Sequence, residues 1–279
     1  ILKIIIKYIM EWMKKLDDNR RIRDLNAIPK SHDSGAVHPG KWLECLPWQW
    51  AKCQNRSITG QLKVGIRAFD LRFRKLENGT INIPHCFLSN YTLTKVLIEI
   101  DKFLEEHPSE IVFLFFKREW NTREQWTEKD TRYVWKKINR YKTIEQSINN
   151  NSIVGSLRGK IVPVPEYFIF NHLCKGKLNA YDNLIVNNSW SLKSLCSVTS
   201  NIKKFLLECK EDEEYKMLEI QLNYVAFGGV IPPGIASFFT NLWFRNNVKK
   251  IKQWNEKPGF IGIDFADKKT CKAIYQMNF

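Results

Sequence analysis

The sequence predicts an α/β fold, a distorted (β/α)8 TIM barrel formed by a single domain over residues 1–279. The chain length of 279 residues is ordinary for one barrel of this kind. A hydrophobic fraction of 44%, with 17 Phe and 10 Trp, is sufficient for a large core. Short β-rich runs alternate with helical stretches, and no long linker rich in Pro, Gly or Ser divides them.

Eight apolar runs rich in β-branched and aromatic residues predict the strands. They are residues 25–28, 65–73, 81–86, 111–119, 159–165, 184–189, 217–225 and 260–266. The links after the first and second strands contain little helical pattern. We therefore expect an irregular barrel.

Helical periodicity predicts helices over residues 92–107, 235–256 and 268–278. The apolar start, residues 1–16, predicts an amphipathic helix that faces either the core or a membrane. Two lysines interrupt it well before the roughly 20 residues that a membrane span requires. Because the chain begins at Ile, we expect processing or truncation upstream, and a secreted or peripheral membrane location.

The chain is strongly basic, with a formal net charge of +15 and basic residues along its whole length. Such a body is attracted to polyanions, so nucleic acid and anionic lipid surfaces are both candidate partners. No basic–aromatic RNA-binding motif occurs, so we expect no nucleic acid partner, and we expect a monomer. The seven cysteines lack CxxC spacing, which argues against a zinc site; Cys45 and Cys53 are the nearest pair for a single disulfide.

Ionisable residues follow five of the predicted strands at the same end. They are His32 and Asp33 after the first strand, Asp70 and Arg72 at the end of the second, His85 after the third, Lys117 and Glu119 after the fourth, and Asp264 after the eighth. In a (β/α)8 barrel the carboxyl ends of the strands form the active-site face. Each residue alone fits a polar turn, but their coincidence on five strands favours a site.

Two histidines and an arginine are the groups that in-line phosphodiester cleavage requires. One histidine takes the proton of the attacking hydroxyl and the other protonates the leaving oxygen. The guanidinium clamps the phosphoryl oxygens as negative charge builds. A carboxylate behind one histidine fixes its tautomer, and Asp264 suits this role for His32 because the eighth strand of a closed barrel lies beside the first.

Four runs carry a resemblance to a known family: IPKSHDSG (28–35), CQNRSITGQLKVGIRAFDLRF (53–73), HCF (85–87) and FLEEHPSEIVFLFFKRE (103–119). Together they resemble the catalytic X domain of phosphatidylinositol-specific phospholipases C. The similarity is greatest to the metal-independent type of bacteria and of enzymes that cleave glycosylphosphatidylinositol anchors. The resemblance implies a distorted TIM barrel that cleaves phosphatidylinositol to diacylglycerol and inositol 1,2-cyclic phosphate.

The resemblance also implies roles for the matched residues. His32 resembles the general base for the inositol 2-hydroxyl, and His85 resembles the general acid for the diacylglycerol oxygen. Arg72 resembles the phosphate clamp with Asp33 beside it, and Asp264 resembles the partner of His32. We expect substrate contacts from Asp70, Lys117, Glu119, Asn188 and Trp190. Because the guanidinium of Arg72 supplies positive charge and repels Ca²⁺, we expect no metal and no cofactor.

Several positions depart from the family pattern. Lys30 and Cys86 replace glycines, Pro165 and Glu166 replace a Lys–Arg pair, and Asn188 and Trp190 replace an Asp and a Tyr. Glu166 is the largest change, because the arginine that it replaces is a headgroup ligand. One alternative is therefore a phosphoinositide-binding or anionic-membrane-binding protein of the same fold with weak or lost turnover. A basic protein that binds nucleic acid is a second alternative.

Two aromatic segments follow predicted strands at the site end of the barrel. Residues 38–52 contain Trp42, Trp48 and Trp50, and residues 227–244 contain Phe238, Phe239 and Trp243. Tryptophan is suited to the depth of lipid headgroups, and net positive charge adds attraction to anionic leaflets. We therefore expect a membrane surface containing phosphatidylinositol as the partner.

Overall fold

The computed structural model describes residues 10–37, 48–85, 89–119, 127–141, 148–166, 178–187, 194–210 and 216–279. Four of the predicted positions lie outside the described residues: Trp42, Asn188, Trp190 and the side chain of Trp48. The first nine residues of the predicted amphipathic helix also lie outside them.

Seven strands form a parallel sheet in the order β5-β4-β2-β1-β8-β7-β6. The strands are β1 Ala27–Ser31, β2 Ala68–Lys75, β3 Ile81–Asn82, β4 Val112–Arg118, β5 Ile161–Pro165, β6 Leu184–Asn187, β7 Met217–Gln221 and β8 Gly259–Ile263. Within the described residues the edge strands β5 and β6 do not pair with each other, so the curled sheet is an open barrel. This architecture confirms the predicted α/β class and the distorted TIM barrel.

The strand β3 differs from the predicted third barrel strand. It contains two residues and pairs antiparallel with β2, with Arg74 opposite Asn82, so it lies off the parallel sheet. The side chain of Asn82 donates to the carbonyls of Ser89 and Tyr91 at 2.8 and 3.1 Å. These bonds tie the segment to the chain that follows it, and the predicted strand over 81–86 is therefore too long.

The helices lie between the strands and on the outside of the sheet. They are α1 Trp48–Ala51, α2 Ile58–Val64, α3 Leu93–Glu106, α4 Glu128–Ile138, α5 Val154–Leu157, α6 Ala180–Asn183, α7 Leu195–Glu208, α8 Pro233–Trp254 and α9 Lys268–Tyr275. Side-chain caps begin several of them: Thr92 accepts from the N–H of Lys95 at the start of α3, and Asp267 accepts from Lys269 at the start of α9. The predicted helices correspond to α3, α8 and α9.

Short 3₁₀ helices complete the regular structure: Trp12–Lys15, Ile22–Asp24, Ala226–Gly229 and Gln276–Asn278. Trp12, Met13 and Leu16 are buried in the core, and the ring of Trp12 stacks on Tyr275 with centroids 5.1 Å apart. The described part of the apolar N-terminal segment therefore faces the core. Among the described residues, no helix has the length and apolar character needed to cross a bilayer.

Alternation along the strands divides their side chains between two apolar cores. One face packs against the helices and includes Phe69, Leu114 and Ile261. The other face points into the barrel, where Phe115 and Phe260 meet edge to face with ring centroids 4.8 Å apart. Residues that continue this inward face past the apolar layer reach the mouth of the barrel.

Candidate active site

Charged residues take the inward-facing strand positions that lie nearest the mouth. The inward series are Ile28, Lys30 and His32 on β1; Ala68, Asp70 and Arg72 on β2; Phe113, Phe115 and Lys117 on β4; Val162, Val164 and Glu166 on β5; Met217 and Glu219 on β7; and Phe260, Gly262 and Asp264 on β8. Residues two apart share a face of a strand. Each of these six series begins at an apolar residue and ends at an ionisable one, at the strand end or directly after it. The strands thereby bring together charges that are far apart in the sequence.

His32 and Asp264 form a hydrogen-bonded pair, as the adjacency of the first and eighth strands predicts. Nδ1 of His32 lies 2.8 Å from Oδ1 of Asp264, and the backbone N–H of His32 donates to Ile263 at 3.0 Å. A proton on Nδ1 leaves the lone pair of Nε2 directed into the mouth. Burial by itself lowers the pKa of His32, but the carboxylates of Asp33 and Asp264 outweigh it and raise the pKa above its ordinary value.

Asp33 lies between the two histidines and the arginine. Its Oδ2 is 3.2 Å from Nε2 of His32 and 3.0 Å from Nδ1 of His85. Its Oδ1 is 2.5 Å from Nε of Arg72. Burial raises the pKa of Asp33, but Arg72 and the histidines outweigh it and lower the pKa, so the carboxylate is ionised.

The backbone of the turn after β1 is adapted to this contact. Asp33 has φ of 40°, in the left-handed region that Asp tolerates better than most residues. Its N–H donates to Oδ2 of Asp70 at 3.3 Å. Gly35 follows, where an added Cβ would lie 2.5 Å from Cγ2 of Ile83, so the turn requires glycine at that point.

Arg72 presents a permanent positive charge beside the lone pair of His32. Its Nη2 lies 3.1 Å from Nε2 of His32 and 3.7 Å from Oδ2 of Asp70. Burial by itself lowers the pKa of the guanidinium, but Asp33 and Asp70 outweigh it and raise the pKa. A partly buried guanidinium next to an imidazole is suited to holding an anionic group against that ring.

Gln54 holds the two strand ends that carry His32 and Asp264. Its Nε2 donates to the carbonyls of His32 and Ile263 at 2.8 and 3.0 Å, and its Oε1 accepts from the N–H of Ala266 at 3.0 Å. Our sequence reasoning missed this buried amide, because an uncharged side chain in a loop carries no pattern that indicates a site.

Lys30 lies in the barrel interior and is 1% exposed. Its Nζ is 2.8 Å from Oε1 of Glu219, 3.0 Å from Oε1 of Glu166 and 3.6 Å from the ring centroid of Phe115. Burial by itself lowers the pKa of Lys30, but the two carboxylates outweigh it and raise the pKa. Two departures from the family pattern, Lys30 and Glu166, are therefore an ion pair with each other.

Lys117 connects this interior ion pair to the residues around Arg72. Its Nζ is 2.6 Å from Oε2 of Glu166 and 3.4 Å from Oδ1 of Asp70. Burial raises the pKa of Asp70, but Lys117 and Arg72 outweigh it and lower the pKa.

Glu119 also lies among these charges, and burial raises its pKa. The structure therefore brings the predicted Asp70, Lys117 and Glu119 to the mouth. Our sequence reasoning missed Glu219. The feature that could have indicated it is a carboxylate within an otherwise apolar strand.

The predicted membrane-facing residues divide into exposed and packed side chains. Trp50, Phe238 and Phe239 are 43%, 61% and 49% exposed. Trp243 instead is half-buried against the core, and its ring lies 6.5 Å from that of Trp254. Its place at the membrane interface stays a prediction.

Phe238 and Phe239 belong to a larger exposed surface, which we call the apolar rim: Phe227, Val230, Ile235, Phe238, Phe239 and Leu242. The apolar rim occupies the link after β7 and the first half of α8. Asn241 of α8 donates to the carbonyl of Asp264 at 3.1 Å, so the rim lies beside the mouth. The short helix α1, which contains Trp50, packs against α8.

The fold and the site together define an α/β-barrel protein with histidine, arginine and carboxylate side chains gathered at the mouth of the barrel. Residues 45–164 match the family model described as phosphatidylinositol-specific phospholipase C, X domain. Over these residues the chain is therefore homologous to the X domain of the phosphatidylinositol-specific phospholipase C family. The matched range includes Arg72, His85 and Lys117, whereas His32 and Asp264 lie outside it and are brought to the site by the fold.

Curated relatives match part of the chain. A Staphylococcus aureus protein named 1-phosphatidylinositol phosphodiesterase is 31% identical over 112 residues, which cover 40% of this chain and 35% of that protein. The human PI-PLC X domain-containing protein 2 is 33% identical over 130 residues, which cover 38% of this chain and 42% of that protein. The chain thus spans between 35% and 42% of the length of these relatives.

Solved structures match nearly the whole chain in fold. The phosphatidylinositol-specific phospholipase C of Listeria monocytogenes has a TM-score of 0.79 at 22% identity, over 97% of this chain and 99% of that one. A Staphylococcus aureus phosphatidylinositol-specific phospholipase C, from a structure concerned with its membrane binding, has a TM-score of 0.77 at 21% identity, over 96% and 97%. These similarities establish the barrel fold.

Proposed function

We propose that this protein is a metal-independent phospholipase C that cleaves phosphatidylinositol, or its glycosylated form, to diacylglycerol and inositol 1,2-cyclic phosphate. The observation that carries the proposal is the arrangement of Nε2 of His32, the guanidinium of Arg72 and the imidazole of His85 around Asp33. A base, an anion clamp and an acid then face one space at the mouth of the barrel.

His32 is the proposed general base. Its Nε2 takes the proton of the inositol 2-hydroxyl while that oxygen attacks phosphorus. Asp264, bonded to Nδ1 at 2.8 Å, keeps the ring in the productive tautomer and stabilises the imidazolium that forms. Arg72 lies beside the same nitrogen, so a phosphate held by the guanidinium is placed next to the base.

His85 is the proposed general acid. As the bond between phosphorus and the diacylglycerol oxygen breaks, His85 supplies the proton that the leaving oxygen requires. Asp33 holds His85 at 3.0 Å and Arg72 at 2.5 Å, and so it fixes the acid relative to the clamp. Arg72 stabilises the charge that develops on the nonbridging oxygens, which is the work that a divalent cation does in metal-dependent enzymes.

The headgroup site would lie against Asp70, Lys117 and Glu119, with Asn188 and Trp190 as further contacts. Glu166 is neutralised by Lys30 and Lys117 at 3.0 and 2.6 Å. Ring hydroxyls both donate and accept, so they suit a surface of paired carboxylates and ammonium groups. This arrangement supports recognition of a polyol ring without the arginine that is usual in the family.

The apolar rim and Trp50 would contact the membrane from which the substrate is drawn. Phe227, Phe238 and Phe239 present aromatic rings beside the mouth, where they suit burial at the level of lipid headgroups. The net charge of +15 adds attraction to an anionic leaflet.

The proposal is tested by incubating the protein with phosphatidylinositol vesicles in a chelator and measuring diacylglycerol and cyclic inositol phosphate. We expect both products. Formation of product only after Ca²⁺ is added would contradict the metal-independent reaction. Vesicle binding without any product would instead support the alternative, a lipid-binding protein of this fold with weak or lost turnover.

A further inference from the structure

The turn after β8, which carries Asp264, has a strained backbone. Phe265, the next residue, has φ of 48°, in the left-handed region that a bulky aromatic residue rarely adopts. Such a conformation persists only where surrounding contacts hold it in place. The position of the Asp264 carboxylate therefore depends on the contacts that hold this turn.

The link between α1 and α2 holds the turn through two consecutive residues. The N–H of Phe265 donates to the carbonyl of Cys53 at 2.7 Å. The N–H of Ala266 donates to Oε1 of Gln54 at 3.0 Å. The second of these bonds comes from a side chain, so a single substitution removes it.

Gln54 extends the same contact to the strand end that carries His32. Its Nε2 donates to the carbonyl of His32 at 2.8 Å and to that of Ile263 at 3.0 Å. Gln54 therefore bonds to backbone groups on both sides of Asp264, and also to the backbone of His32 itself. Its side chain is fully buried, so bulk water does not supply these bonds in its place.

An amide suits this position better than a carboxylate or an apolar side chain. Nε2 has two protons and directs one to each of two carbonyls, while Oε1 accepts from the N–H of Ala266. A carboxylate would place oxygen against both carbonyls, and an apolar side chain would make none of the three bonds. The residue type therefore matches the contacts that it makes.

We propose that Gln54 is a positioning residue that keeps the carboxylate of Asp264 against Nδ1 of His32. The two atoms that meet, Oδ1 of Asp264 and Nδ1 of His32, are 2.8 Å apart. Gln54 acts through this pair and not on the substrate. Its consequence for catalysis rests on the proposed function, whereas its effect on His32 does not.

The protonation of His32 reports whether this contact is kept. Burial by itself lowers the pKa of His32, whereas Asp33 and Asp264 raise it. The titratable and charged groups around His32 are Asp264 on β8, Asp33 in the turn after β1 with His85 beyond it, Asp70 and Arg72 on β2, and Cys53 in the link between α1 and α2. Because Gln54 bonds to the backbone beside Asp264, loss of its amide should move that carboxylate off Nδ1 and lower the pKa of His32.

The proposal is tested by NMR titration of the histidines in the full chain without lipid. His32→Ala identifies the signal of His32 among the five histidines by its loss. Gln54→Met removes the amide at nearly constant side-chain volume and should lower the pKa of His32. Gln54→Asn draws the amide back by one methylene, should shift the pKa in the same direction, and provides a second variant if methionine disturbs folding.

Asn278 provides the matched control at the opposite end of β1. Its buried amide donates to the carbonyls of Ala27 and Tyr275 at 2.6 and 3.0 Å, and its Oδ1 accepts from the N–H of Asn26 at 2.8 Å. Asn278→Ala removes bonds of the same kind and should leave the pKa of His32 unchanged.

A double replacement shows whether Gln54 acts through Asp264. In an Asp264→Asn background the carboxylate is already absent, so Gln54→Met should leave the pKa of His32 where Asp264→Asn alone puts it. A further shift in that background would overturn the proposal. So would an unchanged pKa of His32 in the folded Gln54 variants, equal shifts in Gln54→Met and Asn278→Ala, or failure of both Gln54 variants to fold while Asn278→Ala folds.

Activity measurements separate this proposal from the proposed function. Gln54→Met should lower kcat for phosphatidylinositol by up to about 10²-fold, the loss that a misplacement of about 1 Å causes, with KM nearly unchanged. A lowered pKa of His32 in Gln54→Met, together with no cleavage by the unaltered protein, would refute the function alone. Cleavage with the same kcat in both proteins would refute the positioning role alone.

Discussion

At the scale of single residues, the protonation of His32 is controlled by carboxylates on both sides of its ring. Asp264 contacts Nδ1 and Asp33 contacts Nε2, and together they raise the pKa above the ordinary value of about 6.5 despite burial. A general base acts only when it is unprotonated. The activity should therefore decline with acidification at a higher pH than an ordinary imidazole would give.

Asp264→Asn tests this control. Removal of the carboxylate charge lowers the pKa of His32, so the acid limb of the kcat/KM profile should move to lower pH. The maximal rate should also fall, because the tautomer and the imidazolium lose their support. Measurement of kcat/KM against pH for both proteins checks the shift. A loss of rate with an unchanged acid limb would show that Asp264 does not set the pKa of the base.

Replacement of each histidine tests the division of labour at the site. His32→Ala and His85→Ala should each lower turnover of phosphatidylinositol by roughly 10²–10⁴-fold, the range for loss of a general acid or base. Vesicle binding should survive in both, because neither side chain lies on the apolar rim. Sedimentation with vesicles, measured beside product formation, distinguishes lost chemistry from lost binding. Retention of near-normal turnover in either variant would remove that histidine from the mechanism.

Some contacts of the site follow from the sequence and others do not. The pairing of His32 with Asp264 follows from strand order, because the first and eighth strands are neighbours in a barrel. The position of Asp33 depends on a left-handed backbone, which the sequence pattern does not indicate. The ion pair of Lys30 with Glu166 depends on a long side chain that crosses the barrel interior, and strand periodicity does not predict such reach.

At the scale of elements, the strands were predictable because each carries an apolar run of β-forming residues. The strand predicted over residues 81–86 is longer than the observed β3. An apolar run does not indicate that the side chain of Asn82 bonds to the segment that follows it. The helices α4 and α7 were missed, although each begins with a capping box, at Thr127 and Ser194. Each also carries apolar residues at helical spacing, Val134 and Ile138 on α4 and Val198, Ile202 and Leu206 on α7, which our sequence reasoning did not use.

The ion pair between β1 and β7 gives a prediction about stability. Lys30→Met should lower the free energy of unfolding by about 3–5 kcal/mol, because Glu219 is left buried without its cation. Burial raises the pKa of Glu219 even with Lys30 present, and without the lysine it rises further. The ionised carboxylate is then the costly form, so the loss should grow as the pH rises above the pKa of an unfolded glutamate. Urea denaturation at two pH values measures both effects.

A second replacement and a surface control identify the cause. Lys30→Met with Glu219→Gln should recover most of the lost stability, because the buried charge is removed with its partner. Lys204→Met breaks an exposed pair with Glu208, whose atoms are 3.7 Å apart, and should change the free energy of unfolding by less than about 1 kcal/mol. If Lys30→Met alone and Lys30→Met with Glu219→Gln are equally unstable, the lysine stabilises the fold by packing and not by its charge.

At the scale of the whole molecule, the positions of the site and the apolar rim and the net positive charge would all favour contact of the mouth with an anionic membrane. The rim lies on the link after β7 and on α8, beside the strand end that carries Asp264. Contact of this face with a bilayer would therefore bring the mouth to the headgroups. The charge of +15 acts over a longer range, about 8 Å at physiological salt, and concentrates the protein near an anionic surface.

The two contributions to membrane binding are separable. Phe238→Ser combined with Phe239→Ser removes two rings that are 61% and 49% exposed, and should weaken binding to phosphatidylinositol vesicles at every salt concentration. Ile98→Ser changes a 55% exposed apolar side chain on α3 and should leave vesicle binding unchanged. Raising the salt should weaken binding of all three proteins in parallel, because screening acts on charge and not on apolar burial. Vesicle sedimentation across a salt series tests this, and equal effects of the rim and α3 replacements would show that the apolar rim is not the membrane-binding face.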